Sequence, residues 1–223
     1  MIDIACADCL DWIKNVPDKS VDLIVTDPPY VFKSQTGGGM FGSKNRTYHS
    51  QYSIMNEGMN RKMIGEALRV LKTPNMYLWG NWKGILEYLD ALKDYNLSTT
   101  LLSWHKTNPA PLCSGKYLSD TEYCLFVRDK TPMYGGYNDH KTYWIQPYNG
   151  KDKKKYNHPT IKPLDIIEQL IRNSSLEGQT VMDPYLGSGT TAVACKKLNR
   201  NFIGCEINKT YYETSLQRLR ETV

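Results

Sequence analysis

The chain has 223 residues, 40% hydrophobic and 23% charged, which is enough to bury a sizeable core as one globular unit. No apolar run approaches the roughly 20 residues of a membrane helix, and Met1-Ile2-Asp3-Ile4 lacks the basic-then-apolar order of a signal peptide, so the expected location is intracellular and cytoplasmic. A formal charge of +5 with a pI near 8.7 is compatible with a polyanionic partner without requiring one.

In chain order, Ile2 to Ala5 and Val21 to Thr26 read as short buried strands, separated by a helical turn over Cys9 to Asn15 and a Pro17-Asp18 turn. The second strand runs into Asp27-Pro28-Pro29-Tyr30. Two prolines fix the backbone and remove two N–H donors, which leaves carbonyls held rigidly beside a carboxylate and an aromatic ring. Acceptors of this kind at the carboxyl end of a strand suit a planar substrate with an amino group. A turn cap for Asp27, or a ring closing the core for Tyr30, would be the plain structural alternatives.

From Lys33 to Gln51 the composition changes to Gly, Ser, Asn, Lys and Tyr, including Gly37-Gly38-Gly39, which predicts a mobile loop. Asn60 to Leu71 has helical spacing, Met76 to Trp79 reads as a strand and Ile85 to Leu92 as an amphipathic helix. Two β-like runs follow, Thr99 to Trp104 and Glu122 to Val127, with no helix between them, which predicts an antiparallel pair at one sheet edge. Thr131 to His158 lacks periodicity, carries Tyr134, Tyr137, Tyr143, Tyr148, Tyr156 and Trp144, and is expected to be an irregular insert. A helix from Pro163 to Asn173, a strand Thr180 to Met182, a helix Gly189 to Leu198, a strand Phe202 to Cys205 and a helix Thr210 to Glu221 complete the pattern. The expected fold class is α/β, a three-layer Rossmann-like arrangement with a mostly parallel sheet, in one domain spanning 1–223.

Six cysteines are scattered along the chain; Cys6 and Cys9 form a C-x-x-C with no second pair, and His49, His105 and His158 show no zinc spacing, so no metal is expected. Between the strand at Thr180 and the helix at Gly189 lies Asp183-Pro184-Tyr185-Leu186-Gly187-Ser188-Gly189-Thr190-Thr191-Ala192, which contains G-x-G-x-x-A. Glycines there let a ligand approach the backbone at a helix N-terminus, and Glu206 at the end of the next strand could hold two ribose hydroxyls. These features alone fit NAD, or a structural tight turn with no ligand. Asp183 shifts the balance, because a carboxylate before the glycines repels a pyrophosphate and attracts a sulfonium or ammonium.

Taken together, Asp27-Pro28-Pro29-Tyr30 followed much later by Asp183 to Thr191 resembles the beta-class, permuted DNA amino-methyltransferases, in which the catalytic motif precedes the cofactor motif. Trp104 to Pro109 and Glu122 to Val127 resemble the hairpin region of that family, and His158 to Pro163 the segment leading into its first cofactor helix. Phe202 to Glu206 resembles its ribose-binding strand. The resemblance implies S-adenosyl-L-methionine as methyl donor and a base of double-stranded DNA as acceptor. The contacts it implies for the cofactor are Asp8, Cys9, Asp27, Lys162, Asp183, Pro184, Gly187, Ser188, Gly189, Thr190, Thr191, Glu206 and Ile207, while Asp27, Pro28 and Tyr30 carry catalysis. Ala7 stands where the family often has Gly, and Asp rather than Ser at position 27 favours adenine, although some cytosine-amino methylating relatives share the aspartate. A non-catalytic DNA-binding module is a further alternative.

The insert at about 131–157 falls where the family places target recognition, and it is short. Lys151, Lys153, Lys154 and Lys155 are expected on DNA phosphates, or else as a solvated charge run, with Lys33, Lys44 and Arg46 on the loop that closes over the flipped base. Relatives of this class often form homodimers or accompany a cognate restriction nuclease.

Overall fold

The computed structural model describes residues 1–29, 59–109, 115, 117–148, 150–156 and 161–222, with the backbone alone for Lys151, Lys153 and Lys154. Tyr30, the loop carrying Lys33, Lys44 and Arg46, and His158 therefore lie outside the described residues. In chain order the elements are β1 (Ile2–Cys6), α1 (Cys9–Ile13), β2 (Leu23–Thr26), α2 (Arg61–Val70), β3 (Asn75–Gly80), α3 (Trp82–Leu92), β4 (Ser98–His105) and β5 (Thr121–Arg128). After a 3-10 turn (Tyr137–His140) come β6 (Tyr143–Ile145), α4 (Gly150–Lys155), α5 (Leu164–Ser174), β7 (Thr180–Asp183), α6 (Thr190–Lys197), β8 (Asn201–Glu206) and α7 (Lys209–Glu221).

Among the described residues four helices start on a side chain that accepts their free amides, as short polar residues do best at a helix start. Asp8 takes the amides of Leu10 and Asp11, Asn60 that of Met63, Asn81 that of Gly84, and Asn208 those of Thr210 and Tyr211. The strands read as continuous apolar runs because both faces of the sheet are covered. Ile24, Met76, Leu78, Leu125 and Val127 point into one core with α1, α2 and α3. Leu23, Val25, Tyr77, Trp79, Cys124 and Phe126 point into the other, against α5 and α6. Each such side chain, taken fully out of water, contributes about 1.5 to 3 kcal/mol.

Among the described residues the sheet has eight strands in the order β1-β8-β7-β2-β3-β5-β4-β6. All neighbours are parallel except at β5, which runs against both β3 and β4. This is the three-layer, mostly parallel α/β fold expected. The antiparallel pair is present, but it is not the sheet edge: β5 is inserted between β3 and β4, and β6 adds outside β4. The insert is correspondingly less irregular than its sequence suggests. Trp144 of β6 donates its ring N–H to Gln169 of α5 at 2.8 Å, and Trp104 of β4 donates to the carbonyl of Gln146 at 3.0 Å, so a strand of three residues is held by side chains as well as by its ladder.

On α3, Trp82, Leu86 and Leu89 stand exposed at helical spacing. Among the described residues no helix is long and apolar enough to cross a membrane.

Candidate active site

Because β1, β8, β7 and β2 are parallel neighbours, their carboxyl ends open on one edge of the sheet. That edge carries, in spatial order, Asp8 after β1, Glu206 at the end of β8, Asp183 at the end of β7 and Asp27 after β2. Two motifs more than 150 residues apart thus become adjacent: the Thr26 hydroxyl donates to Asp183 Oδ1 at 2.7 Å across a sequence separation of 157. The crevice beyond strand ends is where open α/β sheets take ligands.

The glycine turn joins β7 to α6 with two residues in left-handed backbone, Gly187 at φ 54° and Gly189 at φ 83°. Gly189 also packs against α7, where an added Cβ would lie 2.8 Å from the Cβ of Ser215. The Gly187 amide donates to Glu206 Oε2 at 2.7 Å and the Asn208 amide to Oε1 at 2.8 Å, so Glu206 is fixed by two backbone donors. Burial nevertheless raises its carboxyl above the ordinary value. Arg218, which the sequence did not single out, lies buried under the turn and donates to the Ser188 carbonyl, the Ser188 hydroxyl and the Thr190 hydroxyl at 2.9, 2.8 and 3.0 Å.

Several residues expected to touch the cofactor also make hydrogen bonds within the protein. The hydroxyls of Ser188 and Thr190 bond to Arg218, and Thr191 Oγ1 donates to Asp183 Oδ2 at 2.7 Å. Asp183 itself is 3% exposed and also accepts the Tyr185 amide at 3.1 Å, so the charge expected to meet a sulfonium is enclosed by three donors of the chain. These bonds tie β7 to β2 and to the first turn of α6. Asp8 is exposed and caps α1, the Cys9 thiol contacts Tyr185, and Ile207 is exposed beyond β8.

Burial pushes the Asp183 carboxyl up to about 6, against the pull of Thr191, Thr26 and the Tyr185 amide. A group that holds its proton more tightly folded than unfolded adds stability below its unfolded pKa and loses it as pH rises through the folded one. Asp183→Asn cannot ionise, so its unfolding free energy is expected to gain on the parent by about 2 to 3 kcal/mol between about pH 4 and about pH 7. Urea titrations at a series of pH values measure this directly. A difference that stays constant across that range would show that the carboxyl ionises as readily in the fold as out of it.

Asp27 leaves β2 one-quarter exposed, followed by a buried Pro28. Lys162, expected from the resemblance to contact the cofactor, places its ammonium on Asp27 Oδ2 and, at 3.0 Å, on Glu122 Oε2. Glu122 in turn holds Lys106 at 2.6 Å. Burial works against a charge on Lys162, yet Asp27 and Glu122 hold its pKa above the ordinary lysine value. Burial would likewise raise Glu122, but Lys162 and Lys106 bring it down to about 2. The Lys162 ammonium also sits 5.3 Å from the Trp79 ring centre and that of Lys106 5.3 Å from Trp104. Glu122 and Lys106 were missed as site residues; the available signal was a charged residue at the head of the apolar run Tyr123 to Val127.

On the other flank, α4 leans on α7. Lys155, expected on a phosphate, bonds Glu221 at 2.7 Å, Tyr156 bonds the same carboxylate at 2.8 Å, and Arg218 lies 4.9 Å from the Tyr156 ring centre.

The chain is similar to known proteins. The family model for N6 and N4 methylases, described as DNA methylase, matches residues 21–217. The chain is 31% identical to the Type II methyltransferase M2.MboI of Moraxella bovis over 237 residues, covering 96% of this chain and 85% of the relative. It is 33% identical to the Type II methyltransferase M2.DpnII of Streptococcus pneumoniae over 235 residues, covering 96% and 87%. Among solved structures, the M1.HpyAVI-SAM complex matches with a TM-score of 0.73 at 28% identity, covering 98% of this chain and 100% of that one.

Proposed function

The chain belongs to the N6/N4 DNA methylase family and is a DNA methyltransferase, and on that premise we propose that it methylates the exocyclic amine of adenine in double-stranded DNA, using S-adenosyl-L-methionine, after the base is turned out of the duplex. The observation that carries this reading is the adjacency of Asp27-Pro28 and the glycine turn, joined by the Thr26 to Asp183 hydrogen bond. M1.HpyAVI was solved with SAM, which supports the same donor here.

The residues present fit that cofactor. Gly187 and Gly189 form a turn whose backbone a ligand can approach, and Glu206 ends the neighbouring strand with a carboxylate already aligned by two amides. A row of carboxylates on one edge suits a ligand with hydroxyls and a positive centre, and disfavours a polyphosphate such as NAD. Bound there, S-adenosyl-L-methionine supplies an activated methyl group on a positively charged sulfur.

The base amine is a weak nucleophile because its lone pair is delocalised into the ring. In this reading the Asp27 carboxylate and the Pro28 carbonyl accept hydrogen bonds from its two N–H groups, which returns the lone pair to nitrogen and aims it. As the new N–C bond forms, positive charge grows on nitrogen, and a fixed carboxylate stabilises that charge more in the transition state than before it. Asp27 is then placed to take the surplus proton. Tyr30, outside the described residues, is assigned to stack on the flipped base, recovering roughly 1 to 3 kcal/mol of the unstacking cost.

We assign the whole of 1–223 to one methyltransferase domain, with target recognition in 131–157. Phosphate contacts fall to Lys33, Lys44, Arg46, Lys151, Lys153, Lys154 and Lys155; Lys155 would exchange Glu221 for a phosphate. The Type II designation of both relatives supports a restriction nuclease as companion.

The test is transfer of labelled methyl to duplex DNA, followed by digestion to nucleosides and mass spectrometry. N6-methyladenine is the expected product. N4-methylcytosine would replace the acceptor and keep the mechanism, since both bases present an amine. Binding of DNA without any methylated nucleoside would reduce the protein to a non-catalytic module.

A further inference from the structure

Lys106, Glu122, Lys162 and Asp27 alternate in charge through the interior, from the end of β4 across the start of β5 and the segment before α5 to the end of β2. None of the four side chains is more than one-quarter exposed. The four charges of this ladder, two cations and two carboxylates, sum to zero among themselves. A plain structural role would be to pin β4, β5 and the segment before α5 together, and the hydrogen bonds would serve it. The order of the charges says more. The cation next to Asp27 is shared with a second carboxylate, and that carboxylate with a second cation.

Resting on the assignment of Asp27 as amine acceptor, we propose that Glu122 is a positioning residue for methyl transfer, acting through Lys162 to set the charge that the acceptor nitrogen meets at Asp27. An ammonium neutralised by Asp27 alone would offset the carboxylate that must face a nitrogen turning positive. Glu122 draws Lys162 towards itself and cancels part of its field, so Asp27 keeps the electrostatic pull that the reaction uses. Lys106 holds Glu122 in line and limits how far the correction goes. Methyl transfer moves one positive charge from sulfur to nitrogen, towards Asp27, so the sign of the ladder enters the barrier directly. A unit charge one ion pair removed from Asp27 acts through a partly screened interior, where its effect on a developing charge corresponds to about tenfold in rate.

The ladder therefore makes signed predictions for single-turnover methylation at saturating S-adenosyl-L-methionine and duplex DNA. Glu122→Gln leaves the ladder with a surplus positive charge and is expected to slow the chemical step about tenfold, with duplex affinity little changed. Lys106→Met leaves a surplus negative charge and is expected to methylate at least as fast as the parent. The double variant restores neutrality and is expected to recover to within about threefold of the parent. A role confined to packing predicts the opposite ranking, with all three slower and the double variant slowest, and that result overturns the proposal. Melting of each variant identifies the folded fraction on which rates are compared. If Glu122→Gln does not fold, Lys106→Met decides by its sign, and slowing on folded protein refutes the inference. Asp27→Ala separates this outcome from failure of the parent reading: with Asp27→Ala inactive, equal rates for Glu122→Gln and the parent overturn the inference about Glu122 alone.

Discussion

Asp27→Ala is expected to lose methyl transfer by about a thousandfold or more while binding of S-adenosyl-L-methionine survives. Removal of one preorganised group facing a developing charge commonly costs about a hundred- to a thousandfold. Here the same change also abandons Lys162, which is 7% exposed and loses one of its two carboxylates, so its ammonium adds repulsion where positive charge must grow. Asp27→Asn separates the two contributions. It keeps an acceptor oxygen of the same reach and removes the charge, and should lie between Ala and the parent. Calorimetric titration of cofactor and single-turnover methylation of duplex DNA make the comparison. Full activity in Asp27→Ala would mean that the amine is held elsewhere.

Gly189→Ala carries the second large effect, on stability and cofactor binding together. The residue sits at φ 83°, where an L side chain costs roughly 1 to 2 kcal/mol. Its new Cβ would also lie 2.8 Å from the Cβ and 3.1 Å from the Cα of Ser215, so α7 must move away from the turn. Moving α7 pulls Arg218 off Ser188 and Thr190. The expected cost is about 3 to 5 kcal/mol, with the thermal shift given by S-adenosyl-L-methionine lost. Gly178→Ala is the control, because Gly178 has φ 77° and nothing within 4 Å of an added Cβ. It should lose only the backbone contribution of roughly 1 to 2 kcal/mol and keep the shift. Equal destabilisation of the two variants would remove the role given to the α6–α7 contact.

The layout of the fold could be read from local signals where those signals were long. The helices at Asn60 and Pro163 carry apolar periodicity and the strands at Val21, Glu122 and Phe202 apolar runs, and each of these, like the helix at Thr210, is present within a residue or two of its expected bounds. β6 and α4 were not legible, because a strand of three residues and a helix of six, Gly150 to Lys155, are too short for any period to show. Pairing order was lost for a different reason. Nothing local in Glu122 to Val127 says that it will slip between β3 and β4, since that depends on which edge the rest of the sheet leaves open. Asp27, the glycine turn and Glu206 could be found because their chemistry is written in adjacent residues. The ladder could not, because Lys106, Glu122 and Lys162 converge from separate segments and share no spacing rule. Arg218 reads as one more basic residue on a polar helix until its burial is known.

β1 lies at one border of the sheet against β8, and the Met1 amino group donates to Asn201, 200 positions away, at 2.7 Å. During translation β1 must then wait for β8, an interval of about 10 to 40 s at ordinary elongation speeds. Throughout that wait Asp27 and its prolines exist without Asp183 and Glu206 beside them. A ribosome that stalls before β8 emerges leaves β1 without its strand partner, so the carboxylate-lined edge is complete only when synthesis has passed β8.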